Sequence, residues 1–290
     1  MRFSRNLTLS VALVLGTSAA ICGPSVHAQT ARQVASTAES TMVLTGHIDI
    51  GTEGQVEGFH LDKRDSVPTG VAGFVDGQVK GWKFERIIVD GVAVPARTPV
   101  SIRLLAKPEA DGGATVSLVA ANFSEYRDDA TDRVTRLKAR APQYPTAVFQ
   151  RGGGGEVLLL VKVGRDGKVE DVFAEQVNLR WVGAEPEMQR MRDELARASV
   201  RAARGWTYRA PTSGESRNDP YWNVRVPVRF ALNDDREVYG KWHAYIPGPR
   251  LSAPWRAESP ADAGADLLPS GGVYMADAHS GPRLLTPLGG

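Results

Sequence analysis

Thiol chemistry is almost missing from this sequence, which has one cysteine, Cys22, in 290 residues. A single cysteine excludes an intrachain disulfide framework and a cysteine-based zinc site. Aromatic residues are few, at 7%, and neither sign of charge dominates: 35 Lys+Arg face 33 Asp+Glu. That balance argues against a broad nucleic-acid-binding surface. With 23% charged residues, nothing resembles a coiled coil or a polytopic membrane protein. What is present is a 42% apolar fraction, enough for a core and against wholesale disorder. The length suggests roughly one to three domains.

The N-terminus reads as a processing signal, residues 1–28. Arg2 and Arg5 give a basic start, residues 7–22 carry no charge, and Val26-His27-Ala28 precedes Gln29. That is the order of a secretory signal with its cleavage site. A retained membrane anchor is the alternative. The run of about 16 residues spans about 24 Å as a helix, short of the roughly 30 Å hydrocarbon core. Ile21 before Cys22 is too large for the usual lipoprotein site. Cleavage removes Arg2, Arg5 and Cys22 and no acid, leaving a neutral, thiol-free chain suited to an oxidising compartment.

A short polar tether, 29–40, comes next. Residues 41–123 are rich in strand signals. Residues 124–141 are charged (Asp128, Asp129, Asp132, Arg133, Arg136, Lys138, Arg140) and read as a linker with room for a helical turn over 131–138. Residues 142–235 form a second folded unit. Residues 236–290, with Pro247, Pro249, Pro254, Pro260 and Pro269, read as a mostly irregular Pro/Gly-rich tail, although Leu284-Leu285 has the character to pack on the body.

The second unit has the clearest pattern. An apolar run, Val157-Leu158-Leu159-Leu160-Val161, leads to Asp166-Gly167, a hairpin turn in which glycine accepts positive φ. Pro186 opens a helix whose buried face is Met188, Met191, Leu195, Ala198 and Ala202, and Gly205 is placed for a left-handed cap. Then Val224, Val226, Val228, Phe230 and Leu232 alternate with Asn223, Arg225, Pro227, Arg229 and Ala231, a strand with one buried and one solvated face. Proline cannot donate to a ladder, so Pro227 places this strand at a sheet edge or a bulge. Tyr221, Asn223, Arg225, Pro227, Arg229 and Ala231 are therefore the candidate edge for recruiting another strand.

The first unit repeats this plan. Gly54-Gln55-Val56-Glu57 matches Gly167-Lys168-Val169-Glu170, and Gly81-Trp82-Lys83-Phe84 matches Gly205-Trp206-Thr207-Tyr208. Pro99-Val100-Ser101-Ile102-Arg103-Leu104 matches 227–232. Val71, Val75 and Val79 suggest a short helix between Pro68 and Gly81. Trp82 and Trp206 stand at the same station and read as structural anchors rather than ligand platforms. The expected fold class is α+β: two tandem small antiparallel sheets, each with a covering helix.

The second unit resembles the TonB C-terminal domain family. The resemblance rests on Pro142-Gln143-Tyr144-Pro145, Gly155-Glu156-Val157, Asp166-Gly167-Lys168-Val169, Trp206-Thr207-Tyr208 and Val226-Pro227-Val228-Arg229-Phe230. The first unit looks like a diverged copy. The resemblance implies a periplasmic module supporting transmembrane transport. Its partner would be a short segment of an outer-membrane transporter, added as a strand to the last-strand edge, which is β-augmentation. The N-terminal segment shows no Ser and His at one-turn spacing of the kind that engages the ExbB–ExbD motor, and no long Pro-Lys spacer follows it. Energy transduction, an inner-membrane anchor and a periplasmic soluble form all remain readings of this resemblance.

No catalytic constellation, cofactor or metal site is expected. The histidines are dispersed; His47 and Asp49 share a strand face as ordinary surface residues. Residues 152–155 form a glycine run without the Lys-Ser/Thr of a phosphate loop. Arg190, Arg192, Arg197, Arg201 and Arg204 have Asp193 and Glu194 beside them and read as a solvated face, so no nucleic-acid partner is expected. The rival to a binding module is a structural envelope protein whose sheet edges pair internally or across a homodimer.

Overall fold

The computed structural model describes residues 39–108, 114–232, 238–257, 259, 262, 264–277 and 281–288. The processing signal, the tether up to residue 38 and His279 lie outside the described residues. In chain order the elements are β1 (Glu39–Ile50), β2 (Val56–Leu61), α1 (Thr69–Lys80), β3 (Ile88–Val89), β4 (Val92–Ala93), β5 (Ala96–Pro108), β6 (Ala114–Asn122) and β7 (Thr135–Lys138). They continue with α2 (Thr146–Gln150), β8 (Gly155–Gly164), β9 (Val169–Leu179), α3 (Glu185–Ala203), β10 (Thr207–Arg209), β11 (Tyr221–Phe230), β12 (His243–Tyr245) and β13 (Tyr274–Met275). Helix and antiparallel sheet are mixed, which is an α+β fold.

The two larger sheets are built on one pattern. In the first, β1 forms a hairpin with β2 and pairs with β5, and β6 follows β5. In the second, β8 forms a hairpin with β9 and pairs with β11. The matched sequence stations share their local geometry. Gly54 and Gly167 have φ of 80° and 77°. A Cβ there would sit 2.0 Å from the Phe84 carbonyl oxygen and 2.2 Å from that of Tyr208, respectively. The same carbonyl–amide pair closes each station: Phe84 N–H donates to Gly54 O at 2.7 Å, and Tyr208 N–H to Gly167 O at 2.8 Å. The third match is out of register. Pro99 faces His47, seven residues before Gly54, whereas Pro227 faces Leu158, nine before Gly167. The slip is even, so inward and outward positions are preserved.

Helix α1 buries Ala72, Val75 and Val79, and α3 buries Met188, Met191, Leu195 and Ala198 among others. Each large apolar side chain removed from water contributes about 1.5–3 kcal/mol. Trp82 is 4% exposed and packs edge-on against Phe84 and Phe123. Trp206, also 4% exposed, donates Nε1–H to Arg140 O at 2.8 Å, which satisfies its one polar group. Gly205 does not adopt the left-handed conformation; Arg204 ends α3 with φ −58°, and a Cβ on Gly205 would meet only Ala202 O at 3.7 Å. The 131–138 stretch is not helical either. β7 lies there and pairs with β10, and both Val134 and Thr135 are fully buried.

The 236–290 segment is short of regular structure yet joins both sheets. β12 pairs with the start of β1, and the next residue, Ile246, exchanges two 3.0 Å backbone bonds with Leu179 at the end of β9. β13 pairs with β11. Leu284 then bridges to Phe84 in the first unit. A strand of two or three residues carries too little periodicity to be read from sequence.

A glycine exchange tests the shared turn. Gly54→Ala or Gly167→Ala is expected to cost about 1–3 kcal/mol in urea unfolding, from left-handed backbone strain plus the carbonyl clash. Gly205→Ala is expected to be neutral or stabilising by up to about 1 kcal/mol. Equal losses at all three sites would contradict the assignment.

Candidate functional site

β11 is positioned by ten consecutive pairings with β8, from Tyr221↔Gly164 to Phe230↔Gly155. Its other side is the candidate edge. Asn223 O accepts Ala276 N–H at 2.8 Å on that side. Backbone groups alternate along an antiparallel strand, so Asn223, Arg225, Pro227 and Arg229 present theirs away from β8. Pro227 therefore sits where its missing N–H costs no bond to β8, as an edge proline requires.

That edge is partly occupied. β13 covers Val224 and Arg225, which face Met275 and Tyr274. Among the described residues no strand pairs with the outer side of β11 from Val226 to Phe230.

The expectation of a solvated face on this strand is overturned. Asn223 is 3% exposed and Arg225 4%. The C-terminal segment covers that face of the sheet: Leu160 packs with Ala253, Ala276, Phe173 and Trp255, and Leu158 with Ala265, Leu268 and Tyr274. Meanwhile Val157, Leu159, Val161 and Val163 face the α3 side. Both faces of β8 are dry, which explains its unbroken apolar run.

Burying Asn223 and Arg225 demands partners. Asn223 Nδ2 donates to Asp277 at 2.7 Å, and Trp255 Nε1 donates to Asn223 Oδ1 at 3.0 Å. Arg225 binds Glu175 of β9 through two nitrogens, at 2.7 and 3.0 Å, and reaches Asp262 at 2.9 Å. Arg256 binds the same Asp262 at 2.8 and 3.1 Å, and its Nε reaches Asp277 at 2.6 Å. Burial alone would raise the Asp262 pKa, but the Arg256 and Arg225 guanidiniums hold it well below the usual carboxylate range.

The remaining edge residues are scattered in role. Tyr221, at the start of β11, lies under the Lys162 ammonium, 4.2 Å from its ring centroid. Arg229 lines a cavity of about 320 Å³ between the two sheets, together with Arg103, Tyr245 and Asp266. There Arg103 donates to the Tyr245 hydroxyl at 2.8 Å and pairs with Asp266. Ala231 is past the end of β11 and exposed. The sequence reading missed Glu175, Asp262, Arg256 and Asp277, because nothing in local spacing links β11 to residues so far along the chain. Asp49 is engaged by Arg97 at 2.6 Å and by His60 at 3.1 Å, not by His47. Among the described residues no group of three or more His, Cys, Asp or Glu is placed to hold a metal.

Comparison with known proteins rests on one kind of match. Two curated relatives called Protein TonB, from two strains of Xanthomonas campestris pv. campestris, are each 34% identical to the chain over 136 residues. This supports a TonB-like C-terminal domain. The match covers 47% of this chain and 48% of each relative, so the chain spans about half the length of the curated relatives it matches. No family model matches the chain, and no solved structure matches it. Within the TonB-like chain, no helix among the described residues is long and apolar enough to cross a membrane.

Asp262 gives a pH test. A carboxylate whose folded pKa is depressed contributes stability above its unfolded pKa, about 3.9, and loses it as pH falls toward the folded value. Asp262→Asn leaves Arg225 short of a counter-charge and is expected to cost about 3 kcal/mol at pH 7 by denaturant unfolding. The gap between variant and wild type is expected to close below about pH 4. A gap unchanged at low pH would assign the stabilisation elsewhere.

Proposed function

We propose that the chain is a periplasmic TonB-like binding module that engages a segment of an outer-membrane transporter by strand addition at the β11 edge, in support of transmembrane transport. The observation that carries this reading is the outer side of β11 at Pro227, which among the described residues lies past the pairing with β13, in a chain with TonB similarity. An extended peptide paired there would gain backbone bonds worth roughly 0.5–1.5 kcal/mol each. Residues 41–123 and 142–235 are proposed as related units, supported by the shared turn geometry at Gly54 and Gly167. Export through the 1–28 signal, with a retained inner-membrane anchor as the alternative, belongs to the same proposal, as does a non-enzymatic role.

A second reading has its own support. The chain lays β12 on β1 and β13 on β11, as a structural envelope protein with internally paired edges would.

Titration of the isotope-labelled chain with an N-terminal segment of a transporter from the same cell separates the two. Strand addition predicts amide shift changes concentrated at residues 226–230, with little change on α3. No binding to any such segment would favour the structural reading.

A further inference from the structure

We infer that β6 is a self-pairing edge, through which two copies of the chain join their first sheets antiparallel about a two-fold axis. The inference uses the first sheet alone and does not depend on the transporter reading of β11.

A sheet edge presents a row of backbone donors and acceptors, and proteins blunt it with short strands, charges, proline or cover. The other outer strands of the two larger sheets, among the described residues, follow that rule. β12 has three residues and β13 two. β2 carries exposed Glu57 and His60, and β9 carries exposed Glu170 and Asp171. β11 bears Pro227 and has β13 on part of its outer side. β6 departs from the rule. It ends the strand order of the first sheet, with β5 on one side and no strand on the other among the described residues. Its nine residues, Ala114–Asn122, hold neither a charge nor a proline. Thr115, Val116 and Val119 are β-branched and favour an extended backbone.

Two local features limit where a partner can pair. Leu118 faces Leu104 and Ala120 faces Arg103, so Val119 is the extra residue of a bulge, and it is 44% exposed. A bulge bends the strand beyond it and blunts only that far end. Gly264 lies against Ala120 and Ala121 at the same end. The stretch left for a partner runs up to Val119. The occupant that fits it is a second copy. β6 has no charge with which to select a partner of opposite sign, and for the same reason it sets no like charges opposite each other when it meets an identical strand. Antiparallel self-pairing is isologous, so the contact closes at two copies and builds no filament. Nothing has to be displaced: Leu118 stays in the core of its own sheet. One ladder and a few side chains make a small interface, so the dimer forms in a concentration-dependent way.

The test is sedimentation equilibrium on the full chain carrying Cys22→Ser, which removes its one thiol and with it any intermolecular disulfide. This parent form is expected to dimerise as its concentration rises, with amide exchange at residues 116–119 slowing in step. Thr115 and Val119 are exposed, so exchanging them leaves the core in place. Thr115→Lys with Val119→Lys sets like charges across the two-fold axis and is expected to weaken the dimer about tenfold or more. Thr115→Glu with Val119→Glu is expected to do the same. An equimolar mixture of the lysine and glutamate forms is expected to associate again, because opposite charges then face each other. Restoration on mixing also shows that both variants are folded. A parent form that stays monomeric at every soluble concentration, a dimer unmoved by the lysine pair, or a mixture that stays monomeric would overturn the inference. No transporter segment enters the experiment, so its outcome leaves the reading of β11 to its own titration.

Discussion

Arg225 sits at 4% exposure inside a sheet, and a guanidinium there is tolerable only with its charge matched and its donors used. Two carboxylates from different parts of the chain do this: Glu175 from β9 and Asp262 from the C-terminal segment. Asp262 in turn holds Arg256, which holds Asp277, which holds Asn223, two residues from where the chain of contacts began. The circuit closes on β11. Removing any member leaves a buried charge or amide without its partner. Desolvating so many charges earns little net stability over an apolar alternative, but leaving one unmatched costs several kcal/mol, on the order of 3–5. Such a circuit fixes one placement of residues 253–277 against many that are nearly as apolar.

From that constraint the rest of the second sheet follows. With α3 on one face and the C-terminal segment on the other, β8 is buried on both sides from Val157 to Val161 and is apolar over that run. The segment that completes this sheet also adds β12 to the first one and bonds Ile246 to the end of β9. The two sheets are thus tied by a single stretch of chain with almost no regular structure of its own. Arg103 strengthens the tie, since it stacks on the Tyr245 ring at 4.4 Å and pairs with Asp266.

Much of the framework was legible because its signals are local. Asp166-Gly167 marks a turn by its required φ, Met188 to Ala198 marks a helix face by spacing, and Pro227 marks an edge by its missing donor. The turn and the helix face stand in the structure, whereas β11 carries β13 on its outer side over Val224 and Arg225. What local reading misassigned are the polar positions of β11. Alternation labels Asn223 and Arg225 as solvated, since it has no means of seeing that Asp262 and Asp277 arrive from far along the chain. The charged 124–141 stretch misleads for a related reason: Val134 and Thr135 are buried between neighbours whose charge dominates the composition. The third sequence match, at Pro99 and Pro227, likewise preserved residue types while the register differed by two, a shift that inward–outward patterning does not detect.

The account depends most on the C-terminal segment being folded onto the body. Amide hydrogen exchange at Ala276 and Ile246 measures this directly, because their N–H groups donate to Asn223 O and Leu179 O. Both amides are predicted to be protected well above unstructured rates, with Ala276 opening before the β8 amides and Ile246 close to them. Exchange at unprotected rates in both, while β8 stays protected, would contradict the account.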